Sequence, residues 1–388
     1  MPRSDSPESS PHTELASLKR RIVTLEEQNA ELRKQPQHAS GKDKLNDSGR
    51  GIRRLVCLRE RVEDLIAKFD RRILLGANNE SEADSTDLLQ NARYRSYKML
   101  VLWCPCVREL LQSGAERKEL ADSFSKLNNS ADSARADGTT RLKRAVADWL
   151  MDCIPCPAPP IKPYDKRGRG LNHDVTGRLI CPVDYNWDDS NNRQAIRGYH
   201  PDYMITASSW PMFLYANRLY DHQNPRTGLF QGELLLKAFK YLFTSPTSAE
   251  LVDPENQHDG VSAQRHSRCK RTTGELRTRR HVAGILNMTS VQPQAIAYTA
   301  VQLRFALSGI GSWRTIDDTF DYQEFYDNVV ELAATPDAAK AVDDLLLRIY
   351  MYLDQEMRSL IVLNRSRCYL LLAPPQDESR SGMHVLVL

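Results

Sequence analysis

Between residues 14 and 33 the apolar side chains recur at alternating intervals of three and four. With Leu15, Ile22 and Asn29 at the a positions, Leu18, Leu25 and Leu32 fall at d, so one face of a single helix carries all six. Such a stripe needs a partner helix. The g-to-e′ pairs Glu14/Lys19 and Arg21/Glu26 join opposite charges, Gln28/Arg33 is neutral to basic, and Asn29 at an a position favours a parallel dimer. The expected partner is a second copy of this chain, with another coiled-coil protein as the alternative. Residues 1–13, MPRSDSPESSPHT, hold one Arg and are polar, so they are expected to be disordered and not to form the basic helix of a DNA-gripping zipper.

After the stripe, KQPQHASGKDKLNDSGRG reads as a flexible linker over 34–51. A helical face then runs from Ile52 to about Leu75 through Leu55, Leu58, Val62, Leu65, Ile66, Phe69 and Ile73. A second helix is predicted over 87–112, broken or kinked near Pro105. Two further helices, 115–127 and 140–151, are separated by the polar run NNSADSARADG. Pro155, Pro157, Pro159 and Pro160 exclude regular helix from a strap at 153–163.

The centre, 164–232, has the least helical character: GRLICP reads as a short strand or turn, and a short helix is predicted at 190–197. Helical periodicity resumes through Leu229, Leu235, Leu236, Phe239 and Leu242 until Pro246. A polar, basic loop occupies about 247–290. A helix then begins at Pro293, with Ile296, Ala300, Leu303 and Leu307 facing inward. Another spans about 321–334 behind an Asp321/Glu324 capping box, burying Tyr322, Phe325 and Val329 or Val330. A last helix is predicted over 336–363, and a tail over 373–388. The fold class expected is mainly α: a multi-helical domain, 52–372, with an irregular or β-hairpin centre, preceded by the leucine-zipper-like coiled coil.

Composition adds limits. An apolar fraction of 41% in 388 residues provides for a real core, and a formal net charge of +3 points to no partner by itself. Eight cysteines at 57, 104, 106, 153, 156, 181, 269 and 368 are too scattered for a disulfide scaffold. The most apolar late segment, SLIVLNRSRCYLLLA, is interrupted by Asn364, Arg365 and Arg367, so no membrane span is expected. An intracellular protein, of nucleus or cytoplasm, is the expectation, without a cofactor.

Three groups of residues could carry chemistry. Cys153 and Cys156 form C-x-x-C, and with His173 and Cys181 they would make a tetrahedral zinc set if the Pro-rich strap folded back. Ordinary packing is the favoured reading for them. Arg265, Arg268, Lys270, Arg271, Arg277, Arg279 and Arg280 are opposed within that stretch only by Glu275, a density suited to salt-dependent, sequence-tolerant phosphate contacts. Asp317, Asp318, Asp321, Glu324, Asp327 and Glu331, with His281 before them, are the acidic set that a magnesium-dependent nuclease would need. Capping and a polar helix face explain several of these more simply. For the Trp and Tyr residues at 185–220, core packing is favoured over base stacking. No G-x-S-x-G, H-E-x-x-H or phosphate-loop motif occurs.

KRGRGLNHDVTGRLICPVDYNWDD, WPMFLY, GLFQGELLLKAFKYLFTSPTSA, NMTSVQPQAIAYTAVQLRFALS and FDYQEFYDNVVEL, in this order, resemble an uncharacterised family abundant in mushroom-forming basidiomycete fungi, a domain of unknown function. The resemblance covers roughly 90–335. It implies fold or pocket roles for motif residues such as His173, Cys181, Trp187, Trp210, Tyr298 and Phe325, and carries over no reaction, ligand or partner. Cys153 and Cys156 lie outside its clearest motif. The reading that results is a non-enzymatic homodimeric interaction protein; a sequence-nonspecific nucleic-acid binder using 265–280 is second, and a metal-dependent enzyme is third.

Overall fold

The computed structural model describes residues 41–74, 88–250, 282–286, 288 and 290–335. The zipper positions Leu15 to Leu32, the basic cluster 265–280 and the helix expected at 336–363 all lie outside these residues. The chain divides into two units, Met1–Lys44 and Leu45–Leu388, and the architecture below is that of the second.

Helices α1 (Gly41–Leu55) and α2 (Val62–Leu74) share the first predicted helical face, but the chain breaks between them. The apolar spacing concealed this break because Val56, Cys57 and Leu58 stay buried through it. The Arg53 guanidinium holds it by donating to the Glu60 carbonyl at 2.6 Å. Residues 41–51, expected as linker, are helical instead. Gly49 is the reason they can pack: a Cβ there would stand 2.8 Å from Ser130 Cβ, so only a bare backbone permits this crossing.

Helices α3 (Leu88–Trp103) and α4 (Pro105–Gln112) meet at Cys104, with Pro105 in the first turn of α4, as the spacing predicted. The next element corrects the sequence reading. Instead of two helices with a polar gap, α5 runs unbroken from Arg117 to Met151. Its supposed gap is an interface: Ala131, Ala134 and Gly138 are buried on one face, and the polar residues between them bond to other elements. Ser130 Oγ donates to the Asn46 carbonyl at 2.7 Å, Asn128 bonds to Val62 and Glu63, and Asp132 pairs with Arg53.

The strap after α5 is irregular, as its prolines require. Beyond it the centre contains short helices, α6 (Asp174–Ile180) and α7 (Ser190–Arg197), and single-turn 3-10 segments. GRLICP, read as strand or turn, ends α6. The isolated bridges Pro182 to Pro211 and Tyr215 to Leu229 are the β-like contacts there. The two-stranded antiparallel hairpin lies later, β1 (Ile316–Asp317) against β2 (Phe320–Asp321).

Helix α8 (Glu233–Phe243) is followed by α9 (Pro246–Glu250), which Pro246 begins as well as separating it from α8. After α10 (Val282–Ile285) comes α11 (Pro293–Leu307), every residue of which from Ala295 onward is buried. A helix apolar on all sides belongs at the centre of a domain. Accordingly α5, α6, α8 and α12 (Tyr322–Ala333) all pack on it. Asp321 caps α12 by accepting from the Gln323 and Glu324 amides at 2.7 and 3.2 Å. The core around α11 forms one apolar cluster, and Ile52, Val62, Leu65, Leu100, Val107 and Leu127 belong to a second. No helix among the described residues is long and apolar enough to cross a membrane.

Candidate functional site

The zinc set is not assembled. Cys153 and Cys156 are exposed, whereas Cys181 is buried. Both His173 ring nitrogens serve the fold: Nε2 is 2.8 Å from the Pro159 carbonyl and Nδ1 accepts from the Val175 amide at 3.1 Å. Among the described residues no three His, Cys, Asp or Glu side chains come close enough to hold a metal ion. The acidic set is likewise dispersed, with Asp321 capping α12, Glu331 paired to Arg95 at 3.0 Å and Asp318 accepting from Tyr199 Oη at 3.2 Å. His281 lies outside the described residues. Of the central aromatics, Trp187 and Tyr215 are buried in the core and Trp210 packs against it, while Tyr199 is 67% exposed.

What the fold does gather is positive charge around α11. Every charged side chain that is buried among the described residues is basic: Arg53, Arg54, Lys166, Arg169, Lys240 and Arg304. Arginine keeps its charge at any pH a protein experiences, and burying it without a partner costs several kcal/mol. Each buried arginine therefore needs an account of what compensates it.

At the C-terminal end of α11 the compensation comes from carbonyl groups. Arg169 donates to the carbonyls of Ala306, Lys143, Lys162 and Pro163 at 2.7–3.2 Å. Lys166 donates to the Phe305 carbonyl and approaches Ser308 Oγ at 3.4 Å. The last carbonyls of a helix have no partner within it and carry its negative pole, so these donors complete the helix. Burial, with the charges of Arg169 and Lys143 added, pushes the Lys166 amine down to about 6. It can still donate as a neutral amine. This is the structural role of the KRGRG motif.

Arg304 turns from the same helix toward the hairpin. Its guanidinium lies 3.2 Å from the centre of the Phe320 ring, and it donates to Tyr322 Oη at 3.1 Å. Half-buried Asp317 is the carboxylate whose charge acts on both Arg304 and Lys166, and burial raises its own pKa. Arg53 has a direct counter-ion in Asp132 at 2.9 Å.

Arg54 has none. It donates to the Arg50 carbonyl at 2.9 Å, and its guanidinium stands 6.0 Å from the centre of the Tyr298 ring. Its Nε is buried without a hydrogen-bond partner, as are Tyr298 Oη and Gln302 Nε2, one turn apart on α11. Thr139 Oγ1 and Gln302 Oε1 are 2.6 Å apart, which ties the amide to α5. Arg135, one turn before Thr139, adds a third nearby cation, stacked 5.4 Å from the Trp313 ring centre and 3.4 Å from Asp132.

The model of a family of unknown function, DUF6698, matches residues 129–348. This chain belongs to the DUF6698 family. The match takes in Arg135, Lys166, Arg169, Tyr298, Gln302 and Arg304, and begins after Arg53 and Arg54. In this DUF6698 member the charge-bearing centre thus combines family-matched helices with a helix that precedes the match. No curated protein and no solved structure matches the chain.

None of this charge was identified as a site from sequence. Arg53 and Arg54 sit at the end of an ordinary amphipathic pattern, where cations are normally solvated. One signal was available: Arg304 is the single charged residue in PQAIAYTAVQLRFAL, and a cation inside so apolar a helix must be buried with it.

Proposed function

We propose that this DUF6698 protein acts by association, as a non-enzymatic homodimer held by a parallel coiled coil over residues 14–33. The observation that carries this reading is the a/d stripe Leu15, Leu18, Ile22, Leu25, Asn29 and Leu32 with its opposite-charge flanks. The chemistry of the helical domain agrees with it. Burial pushes the Cys57 and Cys181 thiols up to about 12, so neither offers a thiolate nucleophile near neutral pH. Lys166, Arg169 and Arg304 are engaged by helix-end carbonyls and aromatic rings. Replacing Leu25 with Glu in the full-length chain should convert a dimer into a monomer in sedimentation analysis. A dimer that survives the change contradicts the zipper.

A second reading, sequence-nonspecific nucleic-acid binding, is favoured by one specific observation, the seven Arg and Lys residues between 265 and 280. Binding to generic duplex DNA or single-stranded RNA should then fall steeply with salt and weaken when Arg277, Arg279 and Arg280 are replaced by Ala. No binding at low salt eliminates this reading and leaves the first intact.

A further inference from the structure

Free cysteine is among the residue types most often buried, and most of the described cysteines follow that habit. Cys57, Cys104 and Cys181 are buried and Cys106 partly so, and burial raises all four thiols. Cys153 and Cys156 depart from it. Both are free and exposed, with only Ile154 and Pro155 between them. Packing accounts for neither, and the zinc set that would have used them is not assembled.

The segment that carries them is anchored at both ends and free in its middle. At its start, the Cys153 amide donates to the Leu150 carbonyl at 3.3 Å and its thiol to the Trp149 carbonyl at 3.5 Å, on the last turn of α5. Beyond Cys156, Pro157 is buried, the Pro159 carbonyl is 2.8 Å from His173 Nε2, and the Ile161 amide stands 3.2 Å from Met151 Sδ. Between these anchors residues 152–156 are all exposed, Ile154 to 88%. A disulfide needs Cα atoms about 4.4–6.8 Å apart, a separation that a four-residue segment reaches by bending. This segment already bends at 153, 154 and 155, and it has no buried side chain to hold it back.

We propose that Cys153 and Cys156 form a reversible dithiol–disulfide pair that exchanges with low-molecular-weight disulfides and thiols. One thiolate of the pair attacks the small disulfide, making a mixed disulfide and releasing the first small thiolate. The other cysteine then attacks its neighbour's sulfur, closing the internal bond and releasing the second. The pair gives up two electrons and two protons, and the small disulfide becomes two thiols. Access selects these two sulfurs over the buried ones, because exchange requires a thiolate that the small disulfide can reach. Closure takes the Cys153 thiol from the Trp149 carbonyl and ties the strap to the end of α5. It is independent of the zipper.

The test is equilibration of the folded full-length protein in buffers of reduced and oxidised glutathione, quenched by alkylation. Trypsin releases both cysteines in one peptide, from Ala145 to Lys166, which mass spectrometry reads as two free thiols, a mixed disulfide or an internal bond. The internal bond should predominate in oxidising buffer and disappear with excess thiol, while Cys57, Cys104 and Cys181 stay reduced. At fixed oxidised glutathione, a tenfold rise in the reduced form should lower the ratio of bonded to free pair about a hundredfold, since two thiols are released per bond. In Cys153→Ser or Cys156→Ser the remaining cysteine should stop at the mixed disulfide, with a dependence of only about tenfold. A natural chain that stops at mixed disulfides, that links two chains through these cysteines, or that leaves both thiols reduced in every buffer would overturn the proposal.

Discussion

Asn128, within α5, caps a different helix: its Oδ1 accepts from the Val62 amide at 3.2 Å, at the first residue of α2. Its Nδ2 donates to Glu63 at 2.7 Å, so both ends of one amide are used on the same helical start. An N-cap is ordinarily supplied by the residue just before the helix. Here that position is Arg61, and the cap comes from 66 residues away. Asn128→Ala should therefore cost about 1–3 kcal/mol in urea unfolding, the range for a buried polar contact removed from one side. Asn129→Ala, its exposed neighbour, should change stability by less than about 0.5 kcal/mol.

This relationship also explains where the sequence was readable and where it was not. Apolar spacing located α2, α8, α11 and α12 because each buries a face of large side chains. It failed over residues 128–138, where burial belongs to Ala131, Ala134 and Gly138 and the neighbouring Asn, Ser and Asp bond to other helices. Small and polar residues in sequence signal a turn; only the facing helices reveal them as a contact. The break at 56–61 escaped for the opposite reason, since Val56, Cys57 and Leu58 remain apolar and buried while the backbone turns on Arg53.

Lys166 should make stability rise with pH. Its ordinary value is 10.5, and in the fold it is pushed down to about 6 by burial and by Arg169 and Lys143. Between those values the unfolded chain holds a proton that the folded chain does not, so unfolding is favoured toward the acid end. The gain from this group accrues from pH 6 upward and is complete above about 10.5. Lys166→Met should flatten the rise, measured as the urea midpoint at pH 6.5 and pH 9.

Asp327 should act in the opposite sense. Burial pushes its carboxyl up to about 6, against the Gln323 hydrogen bonds and with the help of Glu60 and Glu331. The folded state prefers the protonated acid, so the contribution is full below the ordinary value of 3.8 and is lost as pH rises through 6. Asp327→Asn should melt higher than the natural chain at pH 8 and equal it near pH 3.5. An equal gain at both pH values would mean that the charge is not the cause.

Gly177 is pressed against the Trp187 ring, which occupies the place a Cβ would take. Alanine favours helix over glycine by about 1 kcal/mol, yet Gly177→Ala should destabilise by about 1–3 kcal/mol because the buried indole must move. Near-ultraviolet circular dichroism should report the displaced tryptophan before the far-ultraviolet helical signal changes.

Association through the stripe Leu15 to Leu32 is the claim on which the functional account rests. The most direct measurement is sedimentation equilibrium of the full-length chain over a hundredfold range of concentration. The account predicts the mass of two chains, falling toward one on dilution and in Leu25→Glu at every concentration. A single-chain mass throughout the range would contradict it.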